Sequence, residues 1–266
     1  MIHTLPSGIT SRTLERFVLS LADDELILGH RDSEWTGYAP ILEEDIAFSN
    51  IAQDEIGHSL VWYTLYNELA GVDPDTMVFK RSANEFTNCR FVEYPKGDFA
   101  YTVVRQFLFD VGEQVKLESL LTSSFEPLAH IAERLLKEES YHRLHSGSLL
   151  QRLGNATTES SRRMQSALDV AFPQSLGMFE PIEGEDELVL RKVFKGNDVI
   201  SIEWLNIVVP AMLSVALKLP VTNEGVLFKP QCSADFGGRL GNHSDHLKNL
   251  VDDLQKVFQL APEAKW

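Results

Sequence analysis

Two strings set the reading of this chain: Gln53-Asp54-Glu55-Ile56-Gly57-His58 and Lys137-Glu138-Glu139-Ser140-Tyr141-His142. In each, a glutamate precedes a histidine by three residues, a spacing that puts both side chains on one face of a helix. Each string also lies in a long run with apolar residues at three- and four-residue steps, the period of an amphipathic helix. Around the first, Phe48, Ile51, Glu55, His58, Trp62, Leu65 and Leu69 form one stripe. Around the second, Leu128, Ala132, Leu135, Glu139, His142, Ser146 and Leu149 do the same. A carboxylate and an imidazole thus stand where core residues belong.

Working outward, each of these helices is preceded by another whose apolar stripe holds an acid. One stripe reads Leu14, Phe17, Leu21, Glu25 and Leu28; the other reads Val103, Phe107, Asp110, Gln114, Leu117 and Leu121. Glu113 lies one turn from Asp110 and faces partly inward, but Asp110 keeps its stripe continuous. Burying an unpaired carboxylate costs several kcal/mol, so four that converge need a compensating cation. One carboxylate from each of two helices and a Glu-x-x-His from each of two others make the dinuclear carboxylate site of ferritin-like bundles. The sequence therefore predicts an all-α, ferritin-like four-helix bundle with additional C-terminal helices. Its two iron ions, with manganese as the alternative, are expected on Glu25, Glu55, His58, Asp110, Glu139 and His142. Glu25 and Glu55 are 30 residues apart and Asp110 and Glu139 are 29 apart, which suits antiparallel helix pairs with ligands at equal depth. His30, His130 and His145 fall off the stripes, and His243 and His246 stand at a polar helix start. The first three read as surface residues or as supports behind the ligands, the last two as surface or capping residues, and Arg191, Lys192 and Lys195 as a solvated turn.

The first helix is expected over about 11–31. The second opens with Glu43, Glu44 and Asp45, acids that complement the helix dipole, and reaches Ala70 before Gly71. Residues 72–96, with Pro74, Pro95 and Gly97, read as a long connection. The third helix starts near Asp98, a residue type favoured as an N-cap, and the fourth at Pro127, favoured in the first turn. They are expected to end near 121 and 154. Further helices are expected over 157–171, over 197–218 with a bend at Pro210, and over 244–260, with a loop over 220–242. No repeat or linker divides the chain. Residues 1–266 are thus expected to form one domain, with the bundle in about 11–154 and extra helices in about 155–266.

The 24 Lys and Arg against 39 Asp and Glu give 266 residues a net charge of −15. That balance argues against sequence-independent nucleic-acid binding and against an anionic membrane surface. Two cysteines, Cys89 and Cys232, are too few for a disulfide framework, a four-thiolate zinc site or an iron–sulfur cluster. Residues 1–10 show neither the basic nor the apolar segment of a signal peptide. No apolar run reaches the ~18 residues of a membrane span. A cytoplasmic location is the expectation.

The runs Leu21-Ala22-Asp23-Asp24-Glu25-Leu26-Ile27-Leu28-Gly29-His30-Arg31, Glu43-Glu44-Asp45-Ile46-Ala47 and Arg105-Gln106-Phe107-Leu108-Phe109-Asp110 carry a resemblance, as do Asn88-Cys89-Arg90 and Gly97-Asp98-Phe99-Ala100. They resemble the ferritin-like subunits of the phenylacetyl-CoA 1,2-epoxidase family, and its C-type framework in particular. In that family a multicomponent oxygenase converts the aromatic ring of a CoA thioester to an epoxide. Its A-type subunit holds a di-iron centre, while the C-type subunit is a scaffold that has generally lost the ligands. Here Glu25, Glu55, His58 and Glu139 stand where a C-type subunit would carry apolar or amide residues. The strings around Glu55 and Glu139 resemble those of the A-type, and that likeness extends to Asp110. The resemblance implies a di-iron monooxygenase component with catalytic carboxylates Glu25, Glu55, Asp110 and Glu139 and one imidazole per metal. It implies as partners a related ferritin-like subunit, in a homo- or heterodimer, and a flavin and iron–sulfur reductase that uses NADPH. A CoA thioester would be the substrate. A non-catalytic structural subunit of the same complex is the alternative, and iron storage a third reading.

Overall fold

The hydroxyl of Thr10 accepts the backbone N–H of Thr13 and starts the first helix, α1, over Ser11–Ser33. The computed structural model describes residues 5, 8–225 and 227–264. Helix α2 spans Leu42–Ala70 and stops at Gly71, whose left-handed φ of 71° disfavours any residue with a Cβ. The connection after it holds a short α3, Pro74–Phe79, and two 3-10 turns, Ala83–Glu85 and Arg90–Glu93. Helix α4, Phe99–Leu120, is capped by Asp98, which accepts from the Tyr101 N–H. Helix α5 spans Glu126–Ala156 with Pro127 in its first turn, and α6 spans Thr158–Ser175 behind a Thr157 cap. Then follow α7 at Glu185–Leu190, α8 at Asn197–Ser214 and α9 at Asp245–Leu260.

Some elements differ from the sequence reading. Helix α8 stops four residues short, where Ala216 takes a left-handed φ of 58°. Helix α6 continues past 171 through Pro173. The 220–242 loop contains an antiparallel hairpin, β1 at Val221–Glu224 and β2 at Leu227–Pro230, with Val221 opposite Pro230. Strands of four mostly exposed residues, like the six-residue α7, are too short to show a period.

Packing divides the long helices into two kinds. Helices α1 and α4 are buried nearly all round, while α2 and α5 bury one stripe each. Helix α1 lies along α2, and α4 lies along α5 with α6 and α8 on its other sides. These four long helices make a ferritin-like bundle, and the fold is all-α apart from the hairpin. Trp204 of α8 donates from Nε1 to the Leu108 carbonyl at 2.8 Å and stacks on Phe172 at 5.9 Å, tying α8 to α4 and α6. Gly29 sets the α1–α2 spacing: a Cβ there would fall 2.9 Å from Ile56 Cγ1 and 3.1 Å from the Ala52 carbonyl oxygen. That approach places Glu25, one turn back, beside Glu55. Among the described residues no helix is long and apolar enough to cross a membrane. The leader expectation falls in part on residues 1–4 and 6–7, outside the described residues.

Candidate metal centre

Helix periodicity carries Glu25, Glu55, His58, Asp110, Glu139 and His142 into the interior, each no more than 2% exposed. Two groups of mutually close ligand atoms result, each within 4.8 Å: Glu25, Glu55 and His58, and Glu55, Glu139 and His142. Glu55 belongs to both, the position of a carboxylate shared between two cations. The imidazoles turn Nδ1 inward. His142 Nδ1 lies 3.2 Å from Glu139 Oε1 and 3.5 Å from Glu55 Oε1. His58 Nδ1 lies 3.4 Å from Glu139 Oε1 and 3.9 Å from Glu25 Oε2.

The outer nitrogens are held in a crossed arrangement. His58 of α2 meets Glu138 of α5 through Nε2 at 2.7 Å, and His142 of α5 meets Asp54 of α2 through Nε2 at 3.2 Å. Each outer acid immediately precedes a glutamate of the core stripe, so a helical step of about 100° moves it to the half-exposed rim, within reach of the opposite helix. Sequence reasoning missed Asp54 and Glu138; the doublets Asp54-Glu55 and Glu138-Glu139 were the available signal. A carboxylate on the far ring nitrogen fixes the tautomer and aims the other nitrogen, as in metal sites where a ligand histidine is backed by an acid.

Asp110 stands outside both groups. Its Oδ1 accepts from Gln106 Nε2 at 2.7 Å and its Oδ2 is buried without a partner. Glu113, also buried, receives Lys116 Nζ at 3.0 Å, and Lys116 lies 4.0 Å from Asp24. Glu113 therefore already has a lysine in ion-pair contact, whereas Asp110 makes no such ion pair, bonds the Gln106 amide and feels only the more distant charges of His142 and Arg143. His145 is held by Glu44 at 2.9 Å, a supporting contact, and His130 is exposed. The expectation for His243 is corrected. Its side chain is only 4% exposed and bonds Glu93 and the Phe86 carbonyl, while Glu93 also takes the N–H of Ser244 and so covers the start of α9.

The electrostatics are those of crowded acids. Burial and the neighbouring Glu55 and Glu113 raise Glu25 well above the usual carboxylate range, and burial with Glu139 does the same to Asp110. Burial also opposes the charge on Glu139, but the facing imidazoles of His142, hydrogen-bonded to it, and His58, 3.4 Å away, outweigh it and bring that group down to about 2. Burial disfavours the charged imidazoles too. Glu139, Glu55 and Glu138 nevertheless raise His58 to about 9, and Asp54, Glu139 and Glu55 raise His142 further. Both oxygens of Glu25, both of Glu55, one each of Asp110 and Glu139, and His58 Nδ1 are buried with no hydrogen-bond partner. Hard and borderline divalent cations match this oxygen-rich, two-imidazole donor set. The residues fit a pair of such ions.

Residues 6–266 match the phenylacetic acid catabolic protein family, and the chain belongs to it. Over 258 residues it is 33% identical to the C component of the 1,2-phenylacetyl-CoA epoxidase of Escherichia coli strain K12, a match that covers 95% of this chain and 99% of that one. Over 216 residues it is 24% identical to the A component of the same enzyme, covering 75% of this chain and 69% of that one.

Proposed function

We propose that this member of the phenylacetic acid catabolic protein family is a di-iron carboxylate monooxygenase component acting on an aromatic CoA thioester. The observation that carries the reading is the pair of buried ligand groups sharing Glu55, with unpartnered oxygens on Glu25 and Glu55. Glu25, Glu55 and His58 would hold one ion, and Glu55, Glu139 and His142 the other. Asp110 would complete the set from α4. A reduced metal pair supplies the electrons and the open positions that dioxygen activation requires.

The chain's own residues do the remaining work. Four acidic ligands would balance the charge of two divalent cations, so a reduced pair would sit in the dry interior without net charge. Asp54 and Glu138 each hold a proton on Nε2 of the imidazole from the facing helix and keep Nδ1 free for metal. The apolar walls of the stripe, Phe48, Trp62, Phe107 and Leu135, are fully buried or nearly so and keep bulk water from the acids. Two cysteines cannot hold an iron–sulfur cluster, so electrons come from a separate NADPH-dependent reductase.

Anaerobic iron reconstitution followed by metal analysis is the first test, with two ions per chain expected. Turnover with a reductase, NADPH and phenylacetyl-CoA, read by mass spectrometry of the CoA product, is the second. A second reading, a structural subunit whose partner carries the chemistry, is favoured by the higher identity to the C component than to the A component of the epoxidase. A filled metal pair with no oxygenated product across a panel of aryl-CoA thioesters would establish it.

A further inference from the structure

Among the described residues, Asp110 is the one acid of the centre that receives an amide hydrogen bond. Gln106, one turn earlier on α4, donates from Nε2 to Asp110 Oδ1 at 2.7 Å, and both side chains are fully buried. The amide presents its nitrogen because its oxygen would repel a carboxylate. That leaves Gln106 Oε1 buried without a donor and Asp110 Oδ2 buried without a partner. A buried acceptor with no donor destabilises the fold. Methionine fills nearly the same volume with no such atom, so packing by itself gives no reason for glutamine here. What the amide does is fix one oxygen of Asp110 and leave the other free.

The free oxygen belongs with one of the two ligand groups. Helix α4 lies along α5, which carries Glu139 and His142. Besides burial, the charges that bear most on Asp110 are those of Glu139 and His142, with Glu55 behind them. Ser146 and Arg143 of α5 are also near, but the Ser146 hydroxyl donates to the Arg143 carbonyl at 3.5 Å and Arg143 lies over the Phe107 ring at 4.7 Å.

Glu25, grouped with Glu55 and His58, is in the opposite condition. Both of its oxygens are buried and unpartnered, so no hydrogen bond fixes which way its carboxylate turns. The His142 position therefore gains an acid aimed beforehand, whereas the His58 position depends on one that settles only as the ion arrives. A donor already held in place loses less conformational freedom on binding.

We propose that Gln106 is a positioning residue that holds Asp110 toward the ion of Glu55, Glu139 and His142 and makes that position the tighter of the two. This role presupposes the metal pair proposed above and adds an order of filling to it: the His142 position first, the His58 position second. Anaerobic titration with cobalt(II) against a competing chelator, followed by the visible absorption of the bound ion, resolves the steps without turnover. Wild type is expected to fill in two unequal steps, with His142→Ala removing the tighter and His58→Ala the weaker. Gln106→Met keeps the volume, and Gln106→Asn keeps the amide but is one methylene too short to reach. Each is expected to lower the tighter step about 10- to 100-fold, with the weaker step changed less and circular dichroism unaltered. In an Asp110→Asn background, Gln106→Met is expected to add nothing, because the two side chains act as one unit. Equal steps in the wild type, the reverse assignment from the histidine variants, an unchanged tighter step in both Gln106 variants, equal losses in both steps, or a full further loss in the Asp110→Asn background each overturns the role of Gln106 and leaves the metal pair standing. Wild type that takes up no cobalt overturns the metal pair itself, and this role with it.

Discussion

Metal binding at this centre is expected to expel protons, and the geometry sets the minimum number. In the metal-free protein His58 holds its second proton up to about pH 9, and His142 is raised further, because both imidazoles face buried carboxylates. A metal needs the lone pair on Nδ1, the nitrogen turned toward Glu139 and Glu55, while Glu138 and Asp54 retain the proton on Nε2. Each imidazole therefore gives up one proton. Glu25 and Asp110, raised well above the ordinary carboxylate range, add to the release. The raised imidazole values favour the protonated ring in the metal-free fold, so acid opposes the metal and base assists it. With two protons lost, affinity for the metal pair rises about a hundredfold from pH 7 to pH 8, about 2.7 kcal/mol, and the rise becomes shallower above about pH 9 as His58 deprotonates without help. Anaerobic titration calorimetry with ferrous iron measures this. Binding heats at one pH, in buffers of different ionisation enthalpy, count the protons directly. A fully occupied site that releases less than one proton per metal pair, with the same affinity at pH 7 and pH 8, refutes the reasoning. The imidazoles would then be neutral beforehand or not ligands.

Three further outcomes follow from the same geometry. Asp110→Asn is expected to lower metal occupancy while Glu113→Gln keeps both ions, because Lys116 already neutralises Glu113; elemental analysis after reconstitution decides, and the reverse result moves the α4 ligand to Glu113. Asp54→Asn and Glu138→Gln are each expected to weaken metal affinity about 10- to 100-fold, measured by titration with ferrous iron, since they hold ligands in orientation rather than bind. Arg105→Met leaves Asp32, its fully buried partner at 2.9 Å, without a counter-charge, and urea unfolding is expected to show a loss of about 3–5 kcal/mol.

How much was legible in the sequence depended on how each helix is buried. Helix α5 lies on the outside, so its interior residues repeat cleanly, and the predicted stripe from Leu128 to Leu149 is buried at every position. Helices α1 and α4 are surrounded. Reading one stripe on each therefore captured Glu25 and Asp110 but not Asp23, Asp24, Asp32, Arg105, Gln106 or Lys116, all of them buried off that stripe. Gln114 and Leu121, placed on the α4 stripe, are half-buried and exposed, although Val115, Leu117 and Leu120 beside them are buried; Leu121 lies just past the last helical residue. The crossed contacts of Asp54 and Glu138, and the burial of His243 against Glu93, depend on helices that come together only in three dimensions. Local periodicity carries no record of them.

The cost of the acidic cluster bears on the choice between oxygenase and scaffold. Glu25, Glu55, Asp110 and Glu139 are essentially unexposed, and several of their oxygens lack any hydrogen-bond donor. Exchanging buried charged groups for apolar residues of similar volume is often neutral or stabilising, by about 1–4 kcal/mol. A chain whose only duty was to support a partner would lose nothing in folding by such replacements at these positions. This chain instead carries all four acids and both imidazoles, and also the two outer acids that aim the imidazoles. The outer acids hold each imidazole with Nδ1 toward the buried carboxylates. Elsewhere the fold does compensate its buried acids, with Arg105 against Asp32, Arg81 against Asp23 and Arg239 against Asp24. Among the described residues, Glu25, Glu55 and Glu139 form no ion pair with an arginine or lysine, and that choice of partners favours cations that come from outside the chain.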